Sequence, residues 1–172
     1  MTSSDCILGI DPGRAGALAF LHPQAGLLAV HDMPMLEEQK SAGAKVWHIV
    51  DDGEARRLIR LYAPTHCRIE AVHSMPTDGV ATAWAFADNN ATIRTIVRCL
   101  DIPLEAVAPN IWKAALGVPA DKQKSKLRSH KLFPNCQRLL SRPDKGEAAM
   151  IALYDGMSRG IRFNKSIVPW QE

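Results

Sequence analysis

The sequence predicts an α/β fold, a mixed five-stranded sheet in which an antiparallel meander joins parallel strands, covered by helices on both faces. Three observations predict it. Three short apolar runs divided by turn signals open the chain, and strand-like and helix-like segments alternate after them. In addition, 47% of the 172 residues are hydrophobic, enough for one sizeable core.

Residues 6–10 form an apolar run closed by Asp11-Pro12-Gly13, and Pro-Gly is a strong turn signal, so the first strand stops at Asp11. Runs at 16–21 and 27–30 flank His22-Pro23-Gln24-Ala25-Gly26 and complete a three-strand meander. Ala55, Leu58, Ile59 and Tyr62 recur at helical spacing over 54–62, and Ala63-Pro64 ends that crossover helix. Residues 67–72 read as a buried strand carrying one carboxylate, Glu70, before the turn-forming stretch 75–79. Helical periodicity runs over 80–100, a short strand over 104–107, and Pro109 opens the next helix. A basic helix over 122–133 is stopped by Pro134. The last helix, 144–157, has an apolar face of Ala148, Ile151, Ala152 and Tyr154. No repeat or linker divides the chain, so 1–172 reads as a single domain whose residues after about 160 form a loosely structured tail.

No stretch approaches the roughly 18 uncharged apolar residues of a membrane span, and the start lacks the pattern of a secretory leader. A soluble intracellular protein with no membrane partner is the expectation. Cys6, Cys67, Cys99 and Cys136 are scattered without a CxxC pair, which predicts reduced thiols and excludes a recognisable zinc motif. The net charge of +3 is unevenly placed: residues 113–145 carry +7 and the remainder −4. Such a basic segment fits a phosphate-backbone surface, although many basic runs are only solvated helix faces.

Asp11, Glu70, Asp144 and Glu147 are the candidate catalytic residues. Strands ending at Asp11 and Glu70 can lie side by side, and Asp144 and Glu147, three apart, share a helix face beside them. Four adjacent carboxylates repel one another, which predicts a hard, oxygen-preferring cation such as magnesium. Two ions about 3.5–4 Å apart can activate water and stabilise the leaving oxygen of a phosphodiester. Each acid also has a plainer reading. Asp11 can be a turn residue, Glu70 a strand-end group meeting a cation or water, and Asp144 with Glu147 a helix N-cap with its N3 acid.

The motifs together resemble a known family. ILGIDPGRAGALAF at 7–20 is similar to the first strand, catalytic aspartate and hairpin of RuvC-like Holliday junction resolvases of phage and bacterial type, in the ribonuclease H-like superfamily. RIEAVHSMP at 68–76 resembles their second-carboxylate strand. APNIWKAALGVPADKQKSKLRSHKLFP at 108–134 resembles their Pro-x-x-Trp-Lys helix, Asp-Lys motif and basic helix, and DKGEAAMIALYDG at 144–156 their C-terminal acidic helix. The resemblance implies a crossover junction endodeoxyribonuclease acting as a homodimer on four-way DNA junctions, with Asp11, Glu70, Asp144 and Glu147 as metal ligands. It implies two magnesium ions per site, with manganese able to substitute, and Lys122 near the scissile phosphate. Lys113, with Lys124, Lys126 and Arg128 of the basic helix, would contact DNA. A cytoplasmic place beside the nucleoid of a bacterial or phage-infected cell follows, with an organellar origin left open.

The chain departs from the pattern at four places. Arg14 stands where a small or apolar residue is usual and is a candidate phosphate contact. His73 falls near the position of a junction-stacking aromatic, and imidazole stacks less extensively. Ala87 and Ala91 replace helix glycines of the expected dimer face, and Glu147 stands where some relatives use aspartate. Alternative readings are another nuclease of the same fold, acting on branched DNA or RNA/DNA hybrids, and a non-catalytic DNA-binding module; fold cannot separate them. Actin-like ATPases share the Asp-x-Gly hairpin but need two such domains, for which this chain is too short. Trp112 is read as packing rather than as a base platform.

Overall fold

The structure, a computed structural model, describes residues 5–39, 41, 43, 46–71 and 79–164. Its elements follow the chain as β1 (Ile7–Asp11), β2 (Ala17–His22), β3 (Gly26–Asp32), β4 (Met35–Glu38), β5 (Trp47–Val50), α1 (Asp52–Tyr62), β6 (His66–Glu70), α2 (Val80–Cys99), β7 (Leu104–Val107), α3 (Pro109–Leu116), α4 (Lys122–Leu132) and α5 (Pro143–Ser158). The main sheet has the order β3-β2-β1-β6-β7. β1 pairs antiparallel with β2, and β2 with β3, whereas β6 runs parallel to both β1 and β7. This is the mixed five-stranded sheet expected from the sequence.

Side chains alternate across a strand, so the sheet has two apolar faces to cover. On one, Leu8, Ile10, Leu18, Phe20 and Ile69 pack with Ala55, Leu58 and Ile59 of α1 and Ile93 and Val97 of α2. On the other, Ile7, Ala17, Ala19 and Leu21 pack with Trp112 and Leu116 of α3, Leu132 of α4 and the body of α5. Helix α5 is sandwiched between sheet and helices, which buries Gly146 through Leu153 without a break. The apolar face expected there is thus an all-round core, with Tyr154 only half-buried. Close approach of α5 to β1 requires Gly9, because a Cβ there would stand 2.1 Å from the Ala148 carbonyl oxygen.

Caps explain several helix ends. Asp51 accepts the Glu54 N–H at the start of α1, and Ala63 in the left-handed region closes it before Pro64. Asp121 accepts the Lys124 N–H to begin α4. Helix α5 starts earlier than the sequence reading placed it: Arg142 is its N-cap and Pro143 takes the first position, where a missing N–H costs nothing. Asp144 therefore does not cap the helix; it projects from the first turn. Strand β6 ends at Glu70 rather than at residue 72.

The hairpin β4–β5 was not expected. Its first strand, MLEE, is largely exposed and shows no buried alternation. What holds it is a side chain of α2: the buried Asn89 accepts the Val50 N–H at 2.8 Å and donates to the His48 carbonyl at 3.0 Å, acting as an extra strand edge. Past α5, Phe163 is buried against the core and Asn164 N–H donates to the Pro23 carbonyl.

Candidate active site

Three elements deliver the acids to one end of the sheet. Asp11 is the last residue of β1 and Glu70 the last of β6. The parallel register pairs Ile10 with Ile69, so the next residues, Asp11 and Glu70, are neighbours. Helix α5 crosses β1 above Gly9 and brings Asp144 and Glu147 from its first turn. Asp11, Asp144 and Glu147 each offer a ligand atom within 4.8 Å of the others, and this is the group among the described residues with metal-binding geometry. Glu70 stands beside the trio rather than within it.

The electrostatics are those of a crowded, poorly solvated carboxylate cluster. Burial, then the charges of Glu70 and Glu147, push the Asp11 carboxyl well above the usual carboxylate range, against the pull of Lys122. Burial also raises Glu70, with Lys113 opposing and Glu147 adding to the rise. Two ammonium groups partly neutralise the cluster. Lys122 Nζ lies 2.7 Å from Glu147 Oε2 and 3.1 Å from Asp144 Oδ1, and Lys113 Nζ lies 3.2 Å from Glu147 Oε1. Burial works against the Lys122 charge, but the hydrogen bonds and charges of Glu147 and Asp144 outweigh it and hold the ammonium above the usual lysine range.

Trp112 is fully buried, which excludes base stacking and bears out the packing reading. Its indole N–H forms no hydrogen bond among the described residues, yet it sits close enough to Glu70 to favour that carboxylate's charge. Ser125, which the sequence reading missed, is buried on α4 and donates to Glu147 Oε1 at 3.0 Å. A signal existed: Lys122, Ser125 and Ser129 share one helix face, a polar stripe that points inward.

The other sequence candidates are dispersed. Arg14 is exposed in the turn after β1 and lines a cavity of about 270 Å³ with Trp47, His48 and Phe86. Lys124 is exposed on α4 and Lys126 half-buried. Arg128 caps α3, its Nε donating to the Leu116 carbonyl at 2.7 Å. His73 lies outside the described residues. On the side of α5 away from α4, Arg142 and Lys145 both pair with Asp32, and Arg142 also donates to the Ala15 carbonyl beside Arg14.

A mixed sheet with a carboxylate at the end of its central strand, answered by acids from the last helix, defines the ribonuclease H-like class of fold. Among solved structures the chain is similar to Thermus thermophilus RuvC in complex with a Holliday junction substrate, with a TM-score of 0.58 and 13% identity over 90% of this chain and 94% of that one. A second Thermus thermophilus RuvC structure gives a TM-score of 0.52 and 15% identity over 90% and 96%. The chain is RuvC-like in fold. No protein-family model matches it, and no curated protein matches its sequence. No described helix is long and apolar enough to cross a membrane.

Proposed function

We propose that the protein is a metal-dependent endonuclease that resolves four-way DNA junctions. The observation that carries this reading is the convergence of Asp11, Asp144 and Glu147 within 4.8 Å at the end of β1, on a fold shared with RuvC. The donor set fits a hard cation: every ligand is a carboxylate, and Asp11 is raised first by burial and then by its acidic neighbours, despite Lys122. Asp11, Asp144 and Glu147, with Glu70 beside them, would hold magnesium, two ions per site, with manganese as a substitute. When bound, magnesium supplies water activation and stabilisation of charge on the leaving oxygen.

The chain's own residues set the rest. Lys122 and Lys113 reach the carboxylates on partly exposed stems, so both ammonium groups can meet a phosphate at the mouth of the site. Basic side chains lie on two sides of the acids, Lys122 on α4 against Asp144 and Glu147, and Arg142 and Lys145 paired with Asp32 near the β1–β2 turn. A DNA backbone crossing the acids would find cations on both banks. The first half of α2 exposes Val80 and Trp84, which supports a homodimer through that helix, as two coordinated cuts in one junction require. We place the protein inside the cell, beside DNA, as one domain.

The test incubates purified protein with a labelled four-way junction, linear duplex or RNA/DNA hybrid, in magnesium or EDTA. Paired, magnesium-dependent nicks confined to the junction support the reading. Cleavage of the hybrid alone would move the substrate, and binding without cleavage would sink the catalytic role.

A further inference from the structure

We infer that Ser125 is a positioning residue for the Glu147 carboxylate, an assignment that rests on the metal-dependent reading above. Glu147 is the most deeply buried of the four acids, its side chain only 2% exposed. An ionised carboxylate at that depth needs partners on both oxygens. Lys122 serves Oε2, while Ser125 Oγ at 3.0 Å and Lys113 Nζ at 3.2 Å serve Oε1.

These donors are not equivalent. The lysines arrive on long stems, with side chains 56% exposed for Lys122 and 22% for Lys113, and either can swing toward a phosphate or yield to an incoming cation. Ser125 is fully buried and has nowhere to go. It sits one helical turn after Lys122 on α4, on the face pressed against α5. The seam around it has no slack, since a Cβ on Gly146 would stand 2.5 Å from Ser129 Oγ. Helical serines commonly turn their hydroxyl back to their own helix, and Ser129 does so, donating to the Lys126 carbonyl. The Ser125 hydroxyl instead crosses to α5. It fixes the plane of the carboxylate through Oε1 and leaves Oε2, the oxygen that shares Lys122 with Asp144, to take a cation when Lys122 yields.

Manganese binding to the full chain, measured by calorimetry, tests this. Ser125→Cys keeps the volume but donates poorly, and Ser125→Ala removes the donor; both are expected to bind Mn²⁺ about 10- to 100-fold more weakly than the parent, with the Tm of the metal-free Ser125→Cys variant close to the parent's. Parental Mn²⁺ affinity in Ser125→Cys would overturn the assignment, as would a loss in Ser125→Cys matched by a collapse of metal-free Tm. Failure of the parent itself to bind Mn²⁺ would instead remove the metal reading, and this inference with it.

Discussion

The Lys122 ammonium spans the two acids of α5, 2.7 Å from Glu147 Oε2 and 3.1 Å from Asp144 Oδ1. A cation of the protein's own therefore stands where the proposed metal ligands converge, and it must compete with a bound ion. Lys122→Met is expected to bind Mn²⁺ more tightly than the parent by calorimetry. Its junction cleavage at saturating metal should fall by more than its junction affinity, because the ammonium also serves the phosphate. Weaker Mn²⁺ binding in this variant would exclude the competition.

Asp11 carries a stability cost. Its carboxyl is raised in the folded state, so between the usual value near 3.8 and the folded value the native protein binds more protons than the unfolded chain. Stability of the metal-free protein is greatest on the acid side of that window and falls as pH rises through it. Asp11→Asn removes the charge and is expected to raise the metal-free Tm at neutral pH, by about 2–4 °C for each kcal/mol relieved. The gain should shrink in acid. Cleavage should be lost while junction binding persists, since binding depends on the basic flanks. Calorimetry across pH and gel-shift assays check both parts.

Gly9→Ala tests how tightly β1 and α5 are joined. The new methyl would meet a helix carbonyl that cannot rotate away, so α5 must lift from the sheet. The expected loss is about 3 kcal/mol or more in urea unfolding. Any folded fraction should bind Mn²⁺ poorly, because Asp11 and the acids of α5 would part. A near-neutral effect would mean that the helix sits farther from β1 than described.

Farther from the acids, Arg68 of β6 pairs with the fully buried Asp155 of α5 at 2.7 Å and with Glu105 of β7 at 2.8 Å, and Arg159 closes the ring. Arg68→Met leaves Asp155 with only Arg159, and a destabilisation of about 3 kcal/mol is expected. The double variant Arg68→Met with Asp155→Leu should recover much of that, since a well-packed apolar pair replaces a buried ionic one. Urea unfolding of the single and double variants measures the coupling.

His31 gives a second, independent pH dependence. Its ring lies against Phe20 and Tyr62, with Nε2 3.1 Å from the Tyr62 hydroxyl, and burial lowers its pKa below the usual 6.5. Below 6.5 the unfolded chain takes up the proton first, so stability falls as pH drops toward the folded value. His31→Gln is expected to flatten the slope of Tm between about pH 7 and 5. An unaltered slope would assign it to another group.

The sheet was legible because its strands announce themselves: the run ending at Asp11-Pro12-Gly13, the meander and the single carboxylate closing β6 all stand where local chemistry put them. The places of the four acids were legible for the same reason, each at the end or start of an element, although Glu70 stands beside the trio of Asp11, Asp144 and Glu147. The β4–β5 hairpin was not, because the amide of Asn89, distant in sequence, holds its edge in place of an apolar alternation. Nor was Ser125. Helix α4 buries serines against Gly146 and Glu147, so a search for apolar periodicity finds only Leu132 on its inward face. Arg128 lies in a basic run, and a role the run does not announce is that its Nε caps α3 at the Leu116 carbonyl.

The contact between β1 and α5 joins the first strand to the last described helix. A chain emerging from the ribosome can pair its meander early, yet one whole face of that sheet stays bare until residues 143–158 are out of the exit tunnel. Asp11 is made well before Asp144 and Glu147 and meets them only then. The acidic centre is consequently silent until α5 has emerged, and until then the nascent chain carries an uncovered apolar sheet face.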